Sequence, residues 1–355
     1  MPKNTLHFSK KLISWYLENK RDLPWRAVSA PYFIWLSEVI LQQTRVAQGL
    51  PYYEAFVEAF PTVKDLADAP EHQVLKLWQG LGYYSRARNL HAAAKDIVYQ
   101  REGNFPNTYN EIITLKGVGD YTASAIVSIC FNEPTAVVDG NVFRVLARVF
   151  GIATPINSAE GARQFKELAQ DLLDVSQPGT HNQALMEFGA RFCVPQNPSC
   201  ESCIFRDSCT AFRTGSVGQL PVKVKPSPVK KRHFNFLVLL SADSKTLLQQ
   251  RTERGIWQQL YEFPLLETSR KVSLATLLKN EEYRNLSENF GIGELSQYNV
   301  RPIVHKLSHQ HLHTTFWVGE CSALGENGID FSEVHRYAVP VLIENFIANF
   351  PVFDL

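Results

Sequence analysis

The sequence predicts two domains of different class, an all-α domain followed by a smaller α+β domain. Between His7 and Phe212 the apolar residues recur every three or four positions, which is the period of an amphipathic helix. After a stretch rich in Gly, Ser, Lys and Pro, the segments 233–240 and 313–318 are rich in β-branched and aromatic residues, as strands are. The segments 272–290 and 339–350 then return to a helical pattern. With 355 residues, the chain is long enough for two domains that each bury a core.

Composition and charge are those of a globular protein. Hydrophobic residues make up 45% of the chain and charged residues 20%, and the formal net charge is +1. Because the whole chain is nearly neutral, a DNA-binding face would have to come from local basic clusters such as Arg86 and Arg88. The sequence has neither an apolar run of about 18 residues nor a signal peptide, so we expect a cytoplasmic protein that binds no membrane.

The most informative stretch runs from Leu115 to Asn141. The tripeptide Gly117-Val118-Gly119 interrupts a helical pattern that resumes at Ala123, which predicts two helices joined by a turn within residues 111–131. A glycine-rich turn that opens a helix presents free backbone N–H groups, and these suit a phosphate. Lys116 precedes the turn, and we expect its charge to face that phosphate.

Two carboxylates, Glu38 and Asp139, are the candidates for acid–base chemistry. Glu38 lies in the otherwise apolar segment 32–41, where burial would raise its pKa towards neutrality, although most helical glutamates face solvent. Asp139 precedes Gly140 and is a good helix N-cap, which would keep it ionised. A neutral acid beside an ionised carboxylate is the pairing that cleaves glycosidic bonds through a cation-like sugar. We therefore predict that these two residues work together.

Four cysteines predict a metal centre. Cys193, Cys200, Cys203 and Cys209 follow the spacing C-x6-C-x2-C-x5-C within residues 193–209. In a reducing compartment, four thiolates so close in sequence would repel one another unless a cation neutralised them. Zinc sites usually combine two C-x2-C pairs, whereas iron–sulfur clusters accept less regular spacing. The chemistry alone leaves zinc and a four-iron–four-sulfur cluster open.

Several longer motifs resemble the MutY family of adenine DNA glycosylases. The motifs are Pro24-Trp25-Arg26, the segments 35–44, 77–91 and 138–142, the four cysteines, Arg251, Gly255-Ile256-Trp257 and the segment 260–264. The resemblance implies an all-α helix–hairpin–helix glycosylase domain of residues 1–213 with an iron–sulfur cluster loop. The Gly-, Ser-, Lys- and Pro-rich stretch that follows is predicted to be a linker, 214–230. The resemblance further implies an α+β MutT-like (Nudix-fold) domain, 231–355, that recognises 8-oxoguanine. That domain lacks the acidic box of Nudix hydrolases, so we expect no pyrophosphatase activity.

The resemblance also implies roles for individual residues and one 4Fe–4S cluster on the four cysteines. Glu38 would protonate N7 of an adenine mispaired with 8-oxoguanine or guanine in double-stranded DNA, and Asp139 would stabilise the oxocarbenium-like sugar. The residues implied to line the pocket for the flipped adenine are Trp25, Arg26, Leu41 and Glu187. The residues implied to contact the DNA or the 8-oxoguanine are Gln43, Tyr83, Arg86, Lys116, Gly117, Gly119, Ser308 and His309. The family's Phe-Ser-His signature reads Leu307-Ser308-His309 here, so we expect no aromatic stacking from Leu307.

Three other functions agree less well with the sequence. A glycosylase/lyase for oxidised pyrimidines, similar to endonuclease III, needs a nucleophilic lysine two residues after the glycine turn, and Tyr121 stands there. We therefore predict hydrolysis without efficient strand cleavage and count Tyr121 among the catalytic residues. The two carboxylates argue against a non-catalytic lesion-binding protein, and a purely structural iron–sulfur protein leaves the glycine turn unexplained. We expect a monomer associated with the nucleoid.

Overall fold

The computed structural model describes residues 3–224 and 228–353, which form two compact units. Of the described residues, 3–68 and 89–224 form the first unit, and 69–88 and 228–353 form the second. The boundary between them falls inside the predicted linker, 214–230, of which residues 225–227 lie outside the described ranges. The segment 69–88 belongs to the C-terminal unit, a grouping that no motif in the sequence indicates.

Helices follow one another along the first part of the chain, as the periodicity predicts. In chain order they are α1 (Lys3–Asn19), α2 (Pro31–Leu41), α3 (Val46–Ala59), α4 (Val63–Asp68), α5 (Glu71–Leu77), α6 (Ser85–Gln100), α7 (Tyr109–Ile112), α8 (Asp120–Cys130), α9 (Gly140–Phe150), α10 (Ala159–Leu172), α11 (Pro178–Arg191) and α12 (Thr210–Arg213). Helix α5 and the first turn of α6 belong to the second unit, and the other helices belong to the first.

A large core of the first unit fixes the helices that carry site residues. Leu12 of α1, Phe165 of α10 and Phe188 of α11 pack with the apolar side of α9, and all three are buried. Each such side chain contributes about 1.5 to 3 kcal/mol when it leaves water. This packing holds the N-terminus of α9 and the middle of α11 in place, and these positions carry Asp139 and Glu187.

The predicted pair of helices within residues 111–131 is present as α7 and α8. Helix α7 begins two residues earlier than predicted, because the Thr108 hydroxyl caps it by accepting a hydrogen bond from the Glu111 N–H. Between the helices, Gly117 has a φ of 80°, and a Cβ added to it would lie only 2.5 Å from Cβ of Asn89. Glycine is therefore required at Gly117 both for its backbone conformation and for space.

The second unit is an α+β structure built on a mixed sheet. Its strands are β1 (Lys230–Ser241), β2 (Lys245–Thr246), β3 (Gln249–Gln250), β4 (Tyr261–Glu262), β5 (Leu265–Thr268), β6 (Leu295–Gln297), β7 (Ile303–Lys306), β8 (Gln310–Cys321) and β9 (Ile329–Asp330), and its later helices are α13 (Leu274–Leu277), α14 (Glu281–Phe290) and α15 (Val341–Ile347). The main sheet has the order β5-β1-β8-β6, and β7 also pairs with β8. The long strands β1 and β8 run parallel, with Phe236 opposite Phe316.

The predicted strands 233–240 and 313–318 are confirmed as the centre of β1 and β8, which are both longer. The single helix predicted over 272–290 is wrong: the chain forms two helices, because Asn280 starts α14 by accepting a hydrogen bond from the Tyr283 N–H. A core between the sheet and α14 holds Trp317. Over the described part of the chain, no helix combines the length and the apolar character needed to cross a membrane.

Candidate active site

A cleft of about 840 Å³ in the first unit collects many of the predicted site residues. It lies where the end of α2, the glycine turn and the start of α9 meet. The predicted residues that line it are Leu41, Gln43, Gly117, Gly119, Tyr121 and Asp139. These positions are spread over a hundred residues of sequence, so the fold alone brings them together. The cleft therefore places a phosphate-type turn beside a carboxylate.

Glu38 reaches this site from α2 and is paired with Tyr121. The Tyr121 hydroxyl donates a hydrogen bond of 2.7 Å to Oε2 of Glu38. Burial raises the pKa of Glu38 to about 7, while the hydrogen bond from Tyr121 acts in the opposite direction. Glu38 therefore keeps its proton in a substantial fraction of molecules near neutral pH, which agrees with the sequence prediction of a raised pKa.

Asp139 is the N-cap of α9, as predicted. Its Oδ1 accepts hydrogen bonds from the backbone N–H groups of Asn141 at 2.8 Å and Val142 at 2.7 Å, and its Oδ2 accepts one from the Asn141 amide at 2.7 Å. The predicted cap does not lower the pKa of Asp139 overall, because burial raises that pKa above its usual value. The three donors oppose that rise, since each favours the ionised form.

Sequence reasoning missed the residues that orient Asp139. The Arg144 guanidinium donates to Oδ1 of Asn141 at 2.9 Å and to the carbonyls of Cys193 at 2.7 Å and Gly189 at 2.6 Å. These bonds fix which way the Asn141 amide points, so that its NH₂ group faces Asp139. The only sequence signal was the position of Asn141, two residues after Asp139.

Glu187, predicted to line a base pocket, is buried in an ion-pair network. Its side chain on α11 accepts hydrogen bonds from Nε of Arg21 and from Nη2 of Arg26, both at 2.8 Å. Burial alone would raise its pKa, but the bonds from the two arginines outweigh burial and lower the pKa of Glu187 to about 2. Trp25, the neighbour of Arg26, is also buried and packs edge-on against Tyr53 at 5.0 Å. Arg21 was not predicted.

The two loops predicted to meet the DNA, the one after α2 and the glycine turn, present exposed residues. Gln43 follows α2 with a φ of 56° and is exposed. Next to it, the Gln42 amide donates to Oγ1 of Thr122 on α8 at 3.1 Å. Left-handed conformations cost energy for residues other than glycine and often mark functional positions. Lys116, Gly117 and Gly119 are exposed as well, in keeping with a surface that meets a ligand.

A pocket of about 340 Å³ in the second unit brings Tyr83 together with Ser308 and His309. Tyr83 has a φ of 48° and is 45% exposed. The Ser308 hydroxyl and Nδ1 of His309 lie 2.9 Å apart in the turn between β7 and β8. Arg88, from the predicted basic cluster, and Trp257, from the Gly255-Ile256-Trp257 motif, also line this pocket. The predicted cluster around Ser308 is therefore a concave site.

Arg86 differs from its predicted role as a DNA contact. Its side chain is only 9% exposed, and its guanidinium lies 5.0 Å from the centre of the Trp78 ring and 5.7 Å from that of Tyr83. It also donates to the backbone carbonyl of Gly82 at 3.2 Å. In this arrangement Arg86 supports the loop that carries Tyr83, because its cationic group is turned into that loop.

The four cysteines lie in the loop after α11 and at the start of α12. Arg148 approaches Sγ of Cys193 at 3.5 Å, and the Phe205 N–H donates to Sγ of Cys203 at 3.4 Å. N–H donors on sulfur and a thiol-only donor set fit an iron–sulfur cluster chemically. Across residues 3–224 and 228–353, however, no three Cys, His, Asp or Glu side chains converge closely enough to hold a metal ion. The cluster stays a prediction.

The N-terminal and C-terminal parts of the chain match two different protein families. Residues 36–171 match the HhH-GPD superfamily of base excision DNA repair proteins, and residues 235–349 match the NUDIX domain. An adenine DNA glycosylase of Buchnera aphidicola is 33% identical over 88% of this chain and 86% of that protein. An adenine DNA glycosylase of Arabidopsis thaliana is 39% identical over 75% of this chain but only 48% of that protein.

A solved structure gives the same result for the helical part. A thermostable thymine-DNA glycosylase superimposes on 60% of this chain and 98% of its own, with a TM-score of 0.55 and 28% identity. The predicted fold classes, a helix–hairpin–helix glycosylase domain followed by a Nudix-type domain, are thereby confirmed. The chain spans about half the length of the Arabidopsis relative, so that protein has further sequence outside the match.

Proposed function

Because this chain belongs to the adenine DNA glycosylase family, we propose that it removes adenine mispaired with 8-oxoguanine or guanine in double-stranded DNA. The reaction is hydrolysis of the N-glycosidic bond, and it leaves an abasic site. The observation that carries the proposal is the cleft that holds Tyr121, with its bond to Glu38, and Asp139 beside the glycine turn. The turn suits a backbone phosphate and the carboxylates suit the sugar and the base.

Glu38 is proposed as the general acid. With a pKa of about 7, it holds a proton that it can transfer to N7 of the adenine. Protonation makes adenine a better leaving group, and the electrons of the C1′–N9 bond depart with it. The sugar becomes an oxocarbenium-like cation. Tyr121 keeps the carboxyl group of Glu38 in one orientation through its hydrogen bond.

Asp139 is proposed to stabilise that cation. Three hydrogen bonds hold its carboxylate at the edge of the cleft, so little reorganisation is needed when the positive charge develops. Water then adds to C1′ and gives up a proton to a carboxylate. Tyr121 offers no amine for a Schiff base, so the proposal is hydrolysis without strand cleavage.

Recognition of the two bases is proposed to use separate pockets. Flipping a base out of the stack costs a few kcal/mol and is least costly at a mispair. Trp25, Arg26, Leu41 and Glu187 would receive the extruded adenine, with Glu187 held by its two arginines. The 8-oxoguanine would be read by Ser308 and His309. Gln43 and Tyr83 would enter the space left in the base stack.

The proposal is tested by single-turnover release of adenine from duplexes that carry 8-oxoguanine, guanine or thymine opposite it. Glu38→Gln and Asp139→Asn are each expected to lower the rate by at least about 100-fold. Glu54→Gln, an exposed position on α3, is the matched control and should behave like the parent protein. Unchanged adenine release by Glu38→Gln would remove Glu38 from the mechanism. Binding without release by the parent protein would favour a non-catalytic lesion binder.

Borohydride trapping distinguishes the proposed hydrolase from the alternative, a glycosylase/lyase of the endonuclease III type. A lyase forms a Schiff base with the sugar, and borohydride reduces it to a stable enzyme–DNA adduct. We expect no stoichiometric adduct with DNA that contains an adenine mispair. Efficient trapping, together with strand cleavage, would replace the hydrolase proposal.

We also propose that Cys193, Cys200, Cys203 and Cys209 hold one 4Fe–4S cluster. When bound, such a cluster would cross-link the loop after α11 through thiolate bonds to iron. Arg144 already ties this loop to the active site, because it bonds to the Cys193 carbonyl and to Asn141. The cysteines are therefore assigned a structural part, and no step of the reaction depends on the cluster.

A further inference from the structure

The ammonium group of Lys166 lies where three parts of the first unit meet. From α10 it donates to Oδ1 and Oδ2 of Asp120 at 3.0 and 2.9 Å, and to the Ser124 hydroxyl at 3.0 Å, both on α8. It also donates to the Ala136 carbonyl at 2.7 Å, three residues before Asp139. Lys166 therefore joins the helix that carries Tyr121 to the segment that leads to Asp139.

Its partner Asp120 occupies a position where a negative charge is unfavourable for DNA. Asp120 is the first residue of α8 and follows Gly119 directly, at the turn that is proposed to bind a phosphate. Its side chain is 55% exposed. A bare carboxylate there would repel the phosphate and would offset the favourable N–H groups of the helix start.

The surroundings of Asp120 show how that charge is balanced. The Tyr109 hydroxyl donates to Oδ1 at 2.9 Å and keeps the carboxylate against α7, but it brings no charge. Among the described residues, Lys166 is the one that forms a salt bridge with Asp120, and both carboxylate oxygens take part in it. The Gln170 amide oxygen accepts from the Ala136 N–H at 3.0 Å, so α10 also grips the backbone that Lys166 contacts.

We infer that Lys166 is a positioning residue for DNA binding, which neutralises Asp120 so that the adjacent glycine turn can hold a phosphate. The inference rests on the proposed function, because it assumes that the turn meets DNA. It adds a residue that makes no contact with DNA itself. The pair Lys166–Asp120 acts as one neutral unit, and loss of either member changes the local charge by one.

Binding of a fluorescent duplex at several KCl concentrations tests this inference. The duplex carries a tetrahydrofuran abasic analogue opposite 8-oxoguanine. Lys166→Met should weaken binding about threefold or more and reduce the salt slope by about one charge, because Asp120 is then uncompensated. Asp120→Asn should bind more tightly than the parent and raise the slope by about one charge. The double variant that combines Lys166→Met and Asp120→Asn should bind the duplex with the affinity of the parent protein.

Arg163→Gln is the matched control, since it removes a positive charge from the same helix. Arg163 pairs with Glu167 on the exposed side of α10, and both side chains are at least 70% exposed. If Lys166→Met binds like this control, the inference is overturned. It is also overturned if Asp120→Asn fails to rescue Lys166→Met, since a purely structural loss would not depend on charge.

Adenine release by the parent protein, measured alongside, separates the two failures. An inactive parent protein would count against the proposed function. If the parent releases adenine but Lys166→Met binds DNA as the parent does, only the inference is overturned. Asp120→Asn keeps Lys166 and its contacts to Ser124 and Ala136, so it remains informative if Lys166→Met does not fold. Unchanged or weaker binding by Asp120→Asn alone would overturn the inference.

Discussion

The Tyr121 hydroxyl lies 2.7 Å from Oε2 of Glu38 and joins α8 to α2 at the edge of the cleft. Two effects of opposite sign meet at this contact. Burial raises the pKa of Glu38 to about 7, and the hydrogen bond from Tyr121 limits that rise because it stabilises the ionised carboxylate. The pair therefore sets the fraction of Glu38 that carries a proton at neutral pH.

Tyr121→Phe is expected to move the pH dependence of adenine release to higher pH. A general acid works in its protonated form, so the rate of the parent protein should fall as the pH rises through about 7. Without the hydrogen bond, the pKa of Glu38 should rise by about one to two units. Single-turnover rates between about pH 5 and 9 measure the shift. A falling limb that stays in place, or moves to lower pH, would contradict this role of Tyr121.

Asn141→Ala is expected to slow adenine release without weakening DNA binding. The substitution removes the amide that bonds to Oδ2 of Asp139 and that Arg144 orients. A hydrogen bond to a charged group is worth about 1.5 to 3 kcal/mol, so the single-turnover rate should fall at least about tenfold. Asn104→Ala, at an exposed loop position, is the control. An unchanged rate would show that Asp139 holds its orientation without Asn141.

The sequence predicted what depends on local pattern. The cap at Asp139 and the apolar surroundings of Glu38 follow from neighbours within one or two helical turns, and both are present. The strands β1 and β8 were also predicted, because a long run of β-branched and aromatic residues is a local signal. Short strands such as β2, with two residues, carry no such signal.

What the sequence could not predict depends on contacts between distant segments. Burial in the folded protein raises the pKa of Asp139, whereas its neighbours in the sequence favour a lower pKa through the helix cap. Arg21 meets Glu187 across 166 positions, and neither residue lies in a pattern that pairs them. Arg86 stands among basic residues that look solvent-exposed, yet the rings of Trp78 and Tyr83 cover it. Tertiary packing decides each of these cases.

Glu187→Gln is expected to destabilise the protein at neutral pH and less so in acid. Bonds from Arg21 and Arg26 overcome the effect of burial and lower the pKa of Glu187 to about 2, below its usual value of about 4.3. A lowered pKa contributes stability that is complete above about pH 5 and is lost as the pH falls towards 2. We expect a loss of about 2 to 3 kcal/mol in the free energy of unfolding at pH 7.

Urea unfolding at pH 7 and at about pH 3 measures the difference between Glu187→Gln and the parent protein. The difference in unfolding free energy between the two proteins should be smaller at the lower pH. There Glu187 of the parent protein becomes partly protonated, and the parent loses part of the stability that the charged carboxylate contributes. Glu54→Gln is again the exposed control. A gap that stays constant with pH would mean that the loss comes from packing and not from the charge of Glu187.

Iron and sulfide analysis of the purified protein checks the cysteine assignment. One 4Fe–4S cluster predicts about four iron atoms per chain, a broad visible absorbance and loss of that absorbance in the variant Cys203→Ser. Cys321→Ser is the matched control, because Cys321 is buried in the second unit, whereas the four cysteines of the 193–209 loop belong to the first. Bound zinc without iron would favour the other metal centre that the spacing allows.

Gly117→Ala is expected to weaken DNA binding more than its effect on stability explains. Gly117 has a φ of 80°, and an added Cβ would lie 2.5 Å from Cβ of Asn89, so the turn must shift. Gly151→Ala is a matched control, since Gly151 has a φ of 71° and an added Cβ would lie 2.5 Å from Cγ2 of Thr210, while Gly151 is not among the residues that line the cleft. Each substitution should cost about 1 to 3 kcal/mol of folding stability.

Only the Gly117 variant displaces backbone N–H groups that the proposal assigns to a phosphate. Its affinity for the abasic duplex should therefore fall about tenfold, while the affinity of Gly151→Ala stays within about twofold of the parent value. Titrations are made at a temperature where circular dichroism shows both variants folded. Equal losses of affinity would mean that strain, and not the phosphate contact, explains the effect, and the turn would lose its assigned part in binding.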